Sequence, residues 1–395
     1  MDIIIQPGKL SGSIQAIPSK SQAHRLMICA AFADKPTELT CPDTNRDIEA
    51  TADCLRALGS DIRRTETGYS VIPQKEIPDT AVLDCCESGS TLRFMLPVAG
   101  ALGVDATFRM AGRLPQRPLS PLWEEMERMG CILSRPTADT IRCQGKLKAG
   151  SYRIDGGVSS QFITGLLLAL SLLDGESHLQ VTGKVESRPY IDMTKKAMAI
   201  FGVDARHLGG RKFRSPGAIH VEGDWSNGAF FLAAQALGNG VTVSNLSENS
   251  PQGDRAAAQY LPRLKENCTI SAADTPDLVP ILAIVASANR GAVFTDIQRL
   301  RLKETDRVAT VCAMLEALGG KAQASESTLT VFPAALHGGT VDATGDHRIA
   351  MSAAIAATVC SGPVTVAGAE SVSKSYPRFW EEYRRLGGKY EQYLR

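Results

Sequence analysis

Polar residues open, and apolar residues fill, six short segments spaced along the chain. They begin near Ser21 (SQAHRLMICAAFA), Ser88 (SGSTLRFMLPVAG), Ser159 (SSQFITGLLLALSLL), Asp224 (DWSNGAFFLAAQAL), Asp277 (DLVPILAIVASA) and Asp346 (DHRIAMSAAIAATV). Each predicts a helix that is apolar nearly all round and therefore buried. Every opening residue is Ser or Asp, the side chains that satisfy free N–H groups at a helix start. The openings lie 67, 71, 65, 53 and 69 residues apart. A second, amphipathic set of helices is predicted to stop at Leu58-Gly59, Met129-Gly130, Phe201-Gly202, Leu318-Gly319 and Leu386-Gly387, with Asn267 in place of Gly in the fourth unit. Gly and Asn tolerate the left-handed conformation that ends a helix. Their spacing is 71, 72, 65, 52 and 68 residues, nearly the same beat, short fourth interval included.

Strand-like stretches lie between the helices at Ile14–Ala16, Val71–Pro73, Thr107–Met110, His178–Val181, Val241–Val243, Leu329–Phe332 and Val364–Val366. The chain therefore reads as six copies of a mixed α/β unit. Its 395 residues suggest two domains of three copies, joined near Glu222-Gly223. Sequence alone would also permit a single ring.

Charge changes this picture only when its arrangement is considered. Lys and Arg number 43 against 42 Asp and Glu, a net of +1, which lacks the basic excess of a general nucleic-acid binder. Ten cysteines are scattered with no C-x-x-C, so reduced thiols in a cytoplasm are expected rather than a disulfide framework. The start MDIIIQPGKL shows no signal-peptide pattern. The longest apolar run, Phe162–Leu173, is broken by polar residues and falls short of the roughly 20 residues of a membrane span.

Helix N-termini carry free N–H groups and a positive dipole end, which together bind anions. Here they also carry cations. Lys20, Ser21 and Arg25 open the first buried helix; Gly89 and Arg93 lie in the second; Arg113 and Arg117 share a proline-stiffened loop. Ser159, Ser160 and Gln161 open the third, followed by Ser187-Arg188-Pro189-Tyr190. Lys303-Glu304-Thr305-Asp306-Arg307, Asp346-His347-Arg348 and Ser373-Lys374-Ser375 belong to the second half. Any one set would pass for solvated surface charge. Their recurrence at one phase of the repeat points instead to a cradle for a small polyanion. Walker, dinucleotide, zincin and esterase motifs are absent from the sequence, and its six histidines are dispersed, so neither a metal nor a cofactor is expected.

The blocks PSKSQAHR, SGSTLRF, RLPQRPL, SSQF, SRPYIDMT, LKETDR, DHRIAM and SKSYP, in this order over nearly the whole chain, resemble the signature of the 5-enolpyruvylshikimate-3-phosphate synthase family. The resemblance implies an α/β fold of two similar domains. Each would contain three repeated βαβαββ units in an inside-out α/β barrel, with the active site in the interdomain cleft. It implies domains of residues 13–222 and of 1–12 plus 223–395, the chain crossing near Leu10–Ser13 and near Glu222–Gly223.

The implied reaction moves the enolpyruvyl group of phosphoenolpyruvate to the 5-hydroxyl of shikimate 3-phosphate and releases phosphate, a step towards chorismate and the aromatic amino acids. The family proceeds by addition and elimination through a tetrahedral intermediate, without a cofactor. Carried over by motif, Lys20, Ser21, Arg25, Ser159, Ser160, Gln161, Ser187, Tyr190, Asp277 and Lys303 would meet shikimate 3-phosphate. Lys20, Gly89, Arg117, Gln161, Arg307, Arg348 and Lys374 would meet phosphoenolpyruvate. Asp277 would accept the 5-hydroxyl proton, with Glu304 and Lys20 as further proton-transfer groups. The implied partners are these two small molecules, with no nucleic acid or membrane, and the implied state is a cytoplasmic monomer.

Two positions depart from the family pattern. Glu87 stands where many members have Asn, which bears on phosphoenolpyruvate affinity and on glyphosate-type mimics. Arg299 stands where some relatives place Asn. The rival readings are the sister transferase acting on UDP-N-acetylglucosamine and a non-catalytic binder of anions or RNA ends. The first usually has a reactive Cys five residues before its Arg-Pro, where this chain has Gly112, Cys131 lying well beyond; the second does not need Asp277 and Glu304.

Overall fold

The computed structural model describes residues 1–210 and 213–393. Strands β1 (Asp2–Gln6) and β2 (Ser11–Gln15) come first, then α1 (Lys20–Ala31), β3 (Thr37–Thr40), α2 (Arg46–Ala57), β4 (Asp61–Arg64) and β5 (Gly68–Ile72). Next come β6 (Thr80–Asp84), α3 (Gly89–Leu102), β7 (Asp105–Arg109), α4 (Leu122–Arg128), β8 (Cys131–Ser134) and β9 (Thr140–Gly145). The first half closes with β10 (Ser151–Asp155), α5 (Ser160–Leu170), β11 (His178–Thr182), α6 (Arg188–Ile200) and β12 (Ala218–His220). The second half holds α7 (Trp225–Ala236), β13 (Gly240–Ser244), α8 (Ala257–Arg263), β14 (Cys268–Ser271), α9 (Val279–Ser287) and β15 (Ala292–Thr295). It continues with α10 (Arg307–Ala317), β16 (Lys321–Ala324), β17 (Thr328–Phe332), β18 (Gly339–Asp342), α11 (His347–Ala356), β19 (Val364–Ala367), α12 (Phe379–Arg385) and β20 (Lys389–Tyr393).

Two sheets, ordered β6-β7-β9-β8 and β14-β15-β17-β16, show the full βαβαββ repeat. Their first two strands run parallel, as a helical crossover requires, and the last two form an antiparallel hairpin. Two more sheets reach the same order by borrowing a strand from a distant part of the sequence. In β12-β3-β5-β4 the late strand β12 takes the first place, and in β18-β19-β1-β20 the N-terminal β1 takes the third, between β19 and β20. The remaining two, β10-β11 and β13-β2, are parallel pairs without a hairpin. The expectation of six βαβαββ units is therefore corrected to four complete sheets and two reduced ones. The short fourth interval has its cause here, because α8 is followed directly by β14. In the third repeat, an antiparallel bridge of Ser177 with Leu208 stands where the hairpin would begin.

The described chain divides into two compact units, residues 1–17 with 222–395 and residues 18–221. The first expected boundary, after residue 12, falls inside β2. That strand pairs with β13 from Ser11–Gly240 to Gln15–Ser244, which keeps the chain in the second-half unit as far as Ile17. The return lies between Val221 and Glu222, one residue before the expected place. Each unit has its own apolar core, and α1, α3 and α5 in one and α7, α9 and α11 in the other lie within it.

Four of the six expected caps are present: Ser88, Ser159, Asp224 and Asp346 accept from the N–H groups of Thr91, Gln161, Asn227 and Arg348. At α1 the cap is Ser19 rather than Ser21. Asp277 is not at the capping position of α9, which falls to Leu278; it sits in a 3₁₀ turn, Pro276–Leu278, ahead of that helix. Gly59, Gly130, Gly202, Gly319 and Gly387 all take positive φ after their helices. Asn267 does not belong with them, since α8 stops at Arg263 with Leu264 in right-handed backbone.

Candidate active site

In the unit of residues 18–221, the buried helices begin on residues that hold cations in fixed places. Lys20, first residue of α1, donates from Nζ to Asp47 Oδ2 at 2.8 Å, joining α1 to the first turn of α2. Arg25 is one turn further on and buried. Its Nε donates to Thr194 Oγ1 at 2.8 Å, Nη2 to Thr164 Oγ1 at 3.3 Å and to Tyr190 O at 3.1 Å, and Nη1 to Ser21 O at 2.5 Å. Phe94 covers the guanidinium from a ring centroid 5.0 Å away. Among the described residues no carboxylate pairs with this cation, and burial lowers its pKa to about 10. A buried cation held by neutral acceptors leaves net positive charge for a ligand.

Gln161, in the first turn of α5, donates from Nε2 to Ser90 Oγ at 3.0 Å, tying α5 to α3. Ser159 caps α5, and Ser160 beside it is buried. Ser187 is buried at the head of α6 in left-handed backbone, φ 53°, and Tyr190 follows in the first turn. Gly89 lies between two guanidinium groups: a Cβ there would stand 2.6 Å from Nη1 of Arg117 and of Arg93. Only glycine lets both arginines pack against the start of α3. Arg117 Nε is buried without a hydrogen-bond partner among the described residues. Glu87 is exposed and its side chain lies over Gly112, where a Cβ would stand 2.8 Å from Glu87 Cδ.

Below these residues runs a buried hydroxyl chain that sequence reasoning did not find. His24 Nδ1 meets Thr51 Oγ1 at 2.7 Å, Thr51 meets Thr91 Oγ1 at 2.7 Å, and Thr91 donates to Ser88 Oγ at 2.8 Å. It fastens α1, α2 and α3 together at their N-terminal ends. Burial, outweighing the pull of Asp47, lowers the His24 pKa to about 3, so the ring is neutral. His24 is thus a packed helix residue.

In the unit of residues 1–17 and 222–395, the predicted residues form an ion-pair network around Asp277. Arg307 Nη1 reaches Asp277 Oδ1 at 2.7 Å, Lys303 Nζ reaches the same oxygen at 3.2 Å, and Arg348 Nη2 reaches Oδ2 at 3.3 Å. Arg307 also holds Glu304 Oε2 at 2.6 Å and Asp346 Oδ2 at 2.9 Å. Burial works against the Asp277 charge, but Arg348, Lys303 and Arg307 together hold its carboxyl well below the usual range. Lys303 is lowered by burial, with Asp277 acting the other way. For Arg307, burial is outweighed by Asp346, Glu304 and Asp277, and the guanidinium is fixed as a cation. Lys374 ends a 3₁₀ turn, Ala369–Lys374, that packs beside α11.

Asp346 does two jobs that the sequence did not separate. It caps α11 through Arg348 N at 3.0 Å and anchors the Arg307 guanidinium. Ser226, in the first turn of α7, accepts from Arg348 Nη2 at 2.8 Å. Asp47, Thr164, Thr194 and Ser226 hold these cations and were not singled out in the sequence; Asp346 was read there as a helix cap but not as a partner of Arg307. The other four carried no sequence signal, because their pairings are made across distance by the fold.

Helix starts loaded with lysine and arginine, in a repeated α/β scaffold, define a protein built to hold small polyanions. The sequence model of the EPSP synthase (3-phosphoshikimate 1-carboxyvinyltransferase) family matches residues 4–275 and 265–383, and the chain belongs to that family. A 3-phosphoshikimate 1-carboxyvinyltransferase of Clostridium kluyveri is 36% identical over 419 residues, covering 99% of this chain and 98% of that protein. The fold is similar to that of EPSP synthase from Acinetobacter baumannii, at TM-score 0.79 and 24% identity over 99% of this chain and 100% of that one. It is also similar to the enolpyruvyl transferase NikO from Streptomyces tendae, at TM-score 0.73 and 17% identity over 99% and 98%. Among the described residues, no helix is long and apolar enough to cross a membrane, and no cluster of His, Cys, Asp or Glu is suited to a metal ion.

Proposed function

We propose that the chain transfers the enolpyruvyl group of phosphoenolpyruvate to the 5-hydroxyl of shikimate 3-phosphate and releases phosphate. The observation that carries this reading is family membership along nearly the whole chain, with cations of the family blocks gathered at helix starts. Both substrates bear a phosphate and a carboxylate, so they match guanidinium groups and N-terminal dipole ends. We assign shikimate 3-phosphate to Lys20, Ser21, Arg25, Ser159, Ser160, Gln161, Ser187, Tyr190, Asp277 and Lys303. Phosphoenolpyruvate is assigned to Lys20, Gly89, Arg117, Gln161, Arg307, Arg348 and Lys374. Both are water-soluble metabolites, which supports action in the cytoplasm without a membrane partner.

In the addition step the methylene carbon of phosphoenolpyruvate gains a proton. Its C2 bonds to the 5-oxygen, whose proton passes to Asp277. In the elimination step the new methyl group loses a proton, the C2–phosphate bond breaks, and phosphate leaves. Glu304 and Lys20 are the groups assigned to carry the carbon-bound proton. Asp277 held by three cations is a weak base. A phosphoenolpyruvate anion competing for Arg307 and Arg348 would loosen that hold and raise its basicity at the moment the base is needed.

The sister reaction on UDP-N-acetylglucosamine has less support. A cysteine at residue 112 would occupy the space taken by Glu87, and Cys131 is buried on β8. The test is a phosphate-release assay with phosphoenolpyruvate and either acceptor. Release that requires shikimate 3-phosphate supports the reading; release only with UDP-N-acetylglucosamine overturns it.

A further inference from the structure

The segment between β13 and α8 is fastened to the start of α7 by buried polar side chains. Ser250 Oγ donates to Glu222 Oε1 at 2.7 Å and accepts from Gln252 N at 3.1 Å. Gln252 Nε2 donates to Gly223 O at 2.8 Å, and its Oε1 accepts from Trp225 N at 3.0 Å. These bonds fix the following 3₁₀ turn, Gly253–Ala256. Asp254 in that turn is 2% exposed, and its Oδ1 is buried without a hydrogen-bond partner among the described residues.

The other carboxylates packed around it are engaged. Asp224 caps α7 through Asn227 N, and Asp277 faces three cations. A buried acid left with an unbonded oxygen is costly as a carboxylate and cheaper as a neutral acid. Ser226 links it to the site: it lies in the first turn of α7, which packs against the Gly253–Ala256 turn, and its hydroxyl accepts from Arg348 Nη2 at 2.8 Å.

We infer that Asp254 is a positioning residue that takes up a proton when an anionic substrate engages Arg348, so that the unit sheds one negative charge as its ligand arrives. The inference rests on the reading that phosphoenolpyruvate binds at Arg348. Burial and then the charge of Asp277 push the Asp254 carboxyl up to about 6, with Asp224 adding to the rise and Arg348 and Ser226 opposing it. Ligand charge on Arg348 weakens the pull of that cation and adds an anion, and both changes favour the protonated acid. By linkage, protonation of Asp254 then tightens anion binding to the same extent.

The test is calorimetric titration of the shikimate 3-phosphate complex with phosphoenolpyruvate, in two buffers of different ionisation enthalpy, for the wild type and Asp254→Asn. The phosphate of the ligand titrates in the same range, so the difference between the two proteins is the informative quantity. The wild type should take up more protons than Asp254→Asn near neutral pH. Asp254→Asn should bind phosphoenolpyruvate on the order of three- to tenfold more tightly than wild type above pH about 7, each factor of ten being one pKa unit of interaction. That advantage should shrink near pH about 5.5, where the wild-type acid is already protonated. Equal proton uptake and parallel pH profiles would overturn the inference. Should Asp254→Asn fail to fold, infrared difference spectra of the wild type decide: a protonated-carboxyl band that grows on adding phosphoenolpyruvate supports the inference, and an unchanged band sinks it. A chain that turns over both substrates without extra proton uptake refutes the inference alone; a chain inert towards both refutes the reading, and the inference with it.

Discussion

Arg307 donates from Nη1 to Asp277 Oδ1 at 2.7 Å while only 1% of its own side chain reaches solvent. The acid assigned to the 5-hydroxyl proton is therefore held by a buried cation that it shares with Glu304 and Asp346. Asp277→Ala should lower turnover by about 10²- to 10⁴-fold, the usual worth of a positioned base. Shikimate 3-phosphate should still bind, since most groups assigned to it lie in the other unit. Phosphate release and calorimetric binding, measured on one preparation, check this. Turnover near the wild-type rate would remove Asp277 from the mechanism.

The same guanidinium makes Asp346 a stability residue. Asp346→Ala removes the cap of α11, worth about 1 kcal/mol, and strips Nε of Arg307 of its carboxylate. Breaking a buried ion pair by losing one partner costs about 3–5 kcal/mol. A fall in melting temperature of roughly 10 °C is expected for the unit that contains it. Asp346→Asn, which keeps a capping oxygen, should lose less. Scanning calorimetry orders the three proteins, and equal melting temperatures would contradict the pairing.

The repeat was legible because its signal is local. An apolar helix opened by Ser or Asp is readable at Ser88 and at Asp346 without reference to any other part of the chain. Asp277 looked like the same signal, yet Pro276 and the 3₁₀ turn remove it from the capping position and give its carboxylate to cations. The two missing hairpins left only intervals of 65 and 53 residues as a trace, and an interval does not say which piece is absent. Pairings across distance were invisible: Lys20 with Asp47, Arg25 with Thr194, and Glu87 over Gly112 are made by the fold. Asp254 in PQGD reads as an ordinary turn, and its burial depends on Gln252 and α7.

Gly89 leaves no room for a methyl group. The added Cβ of Gly89→Ala would stand 2.6 Å from both Arg117 Nη1 and Arg93 Nη1. Arg93 is buried and donates to Gly89 O and Pro118 O, so Arg117 is the group expected to move. If Arg117 holds phosphoenolpyruvate, the Michaelis constant for that substrate should rise by about tenfold or more, because a charged hydrogen bond is worth roughly 1.5–3 kcal/mol. The Michaelis constant for shikimate 3-phosphate should change much less. Steady-state kinetics with each substrate varied in turn separates the two, and an equal rise in both would point to general loosening of α3.

His24 sets the acid limit of the unit of residues 18–221. Burial lowers its pKa to about 3, below the ordinary 6.5, so the folded state excludes a proton that the unfolded chain accepts. Between those values the unfolded state binds more protons, and stability must fall as pH drops from about 6.5 towards 3, by several kcal/mol in all. His24→Asn keeps a polar atom where Nδ1 meets Thr51 but cannot become charged. It should weaken the unit at neutral pH, through the space left by the ring, and flatten its response to acid. Trp123 is the tryptophan of this unit, so its fluorescence in a Trp225→Phe/Trp380→Phe background follows this unit's urea unfolding. The gap between midpoints at pH about 7 and about 4.5 should narrow in His24→Asn. An unchanged gap would show that the acid sensitivity belongs to other groups, and that His24 is already charged or already exposed before the unit unfolds.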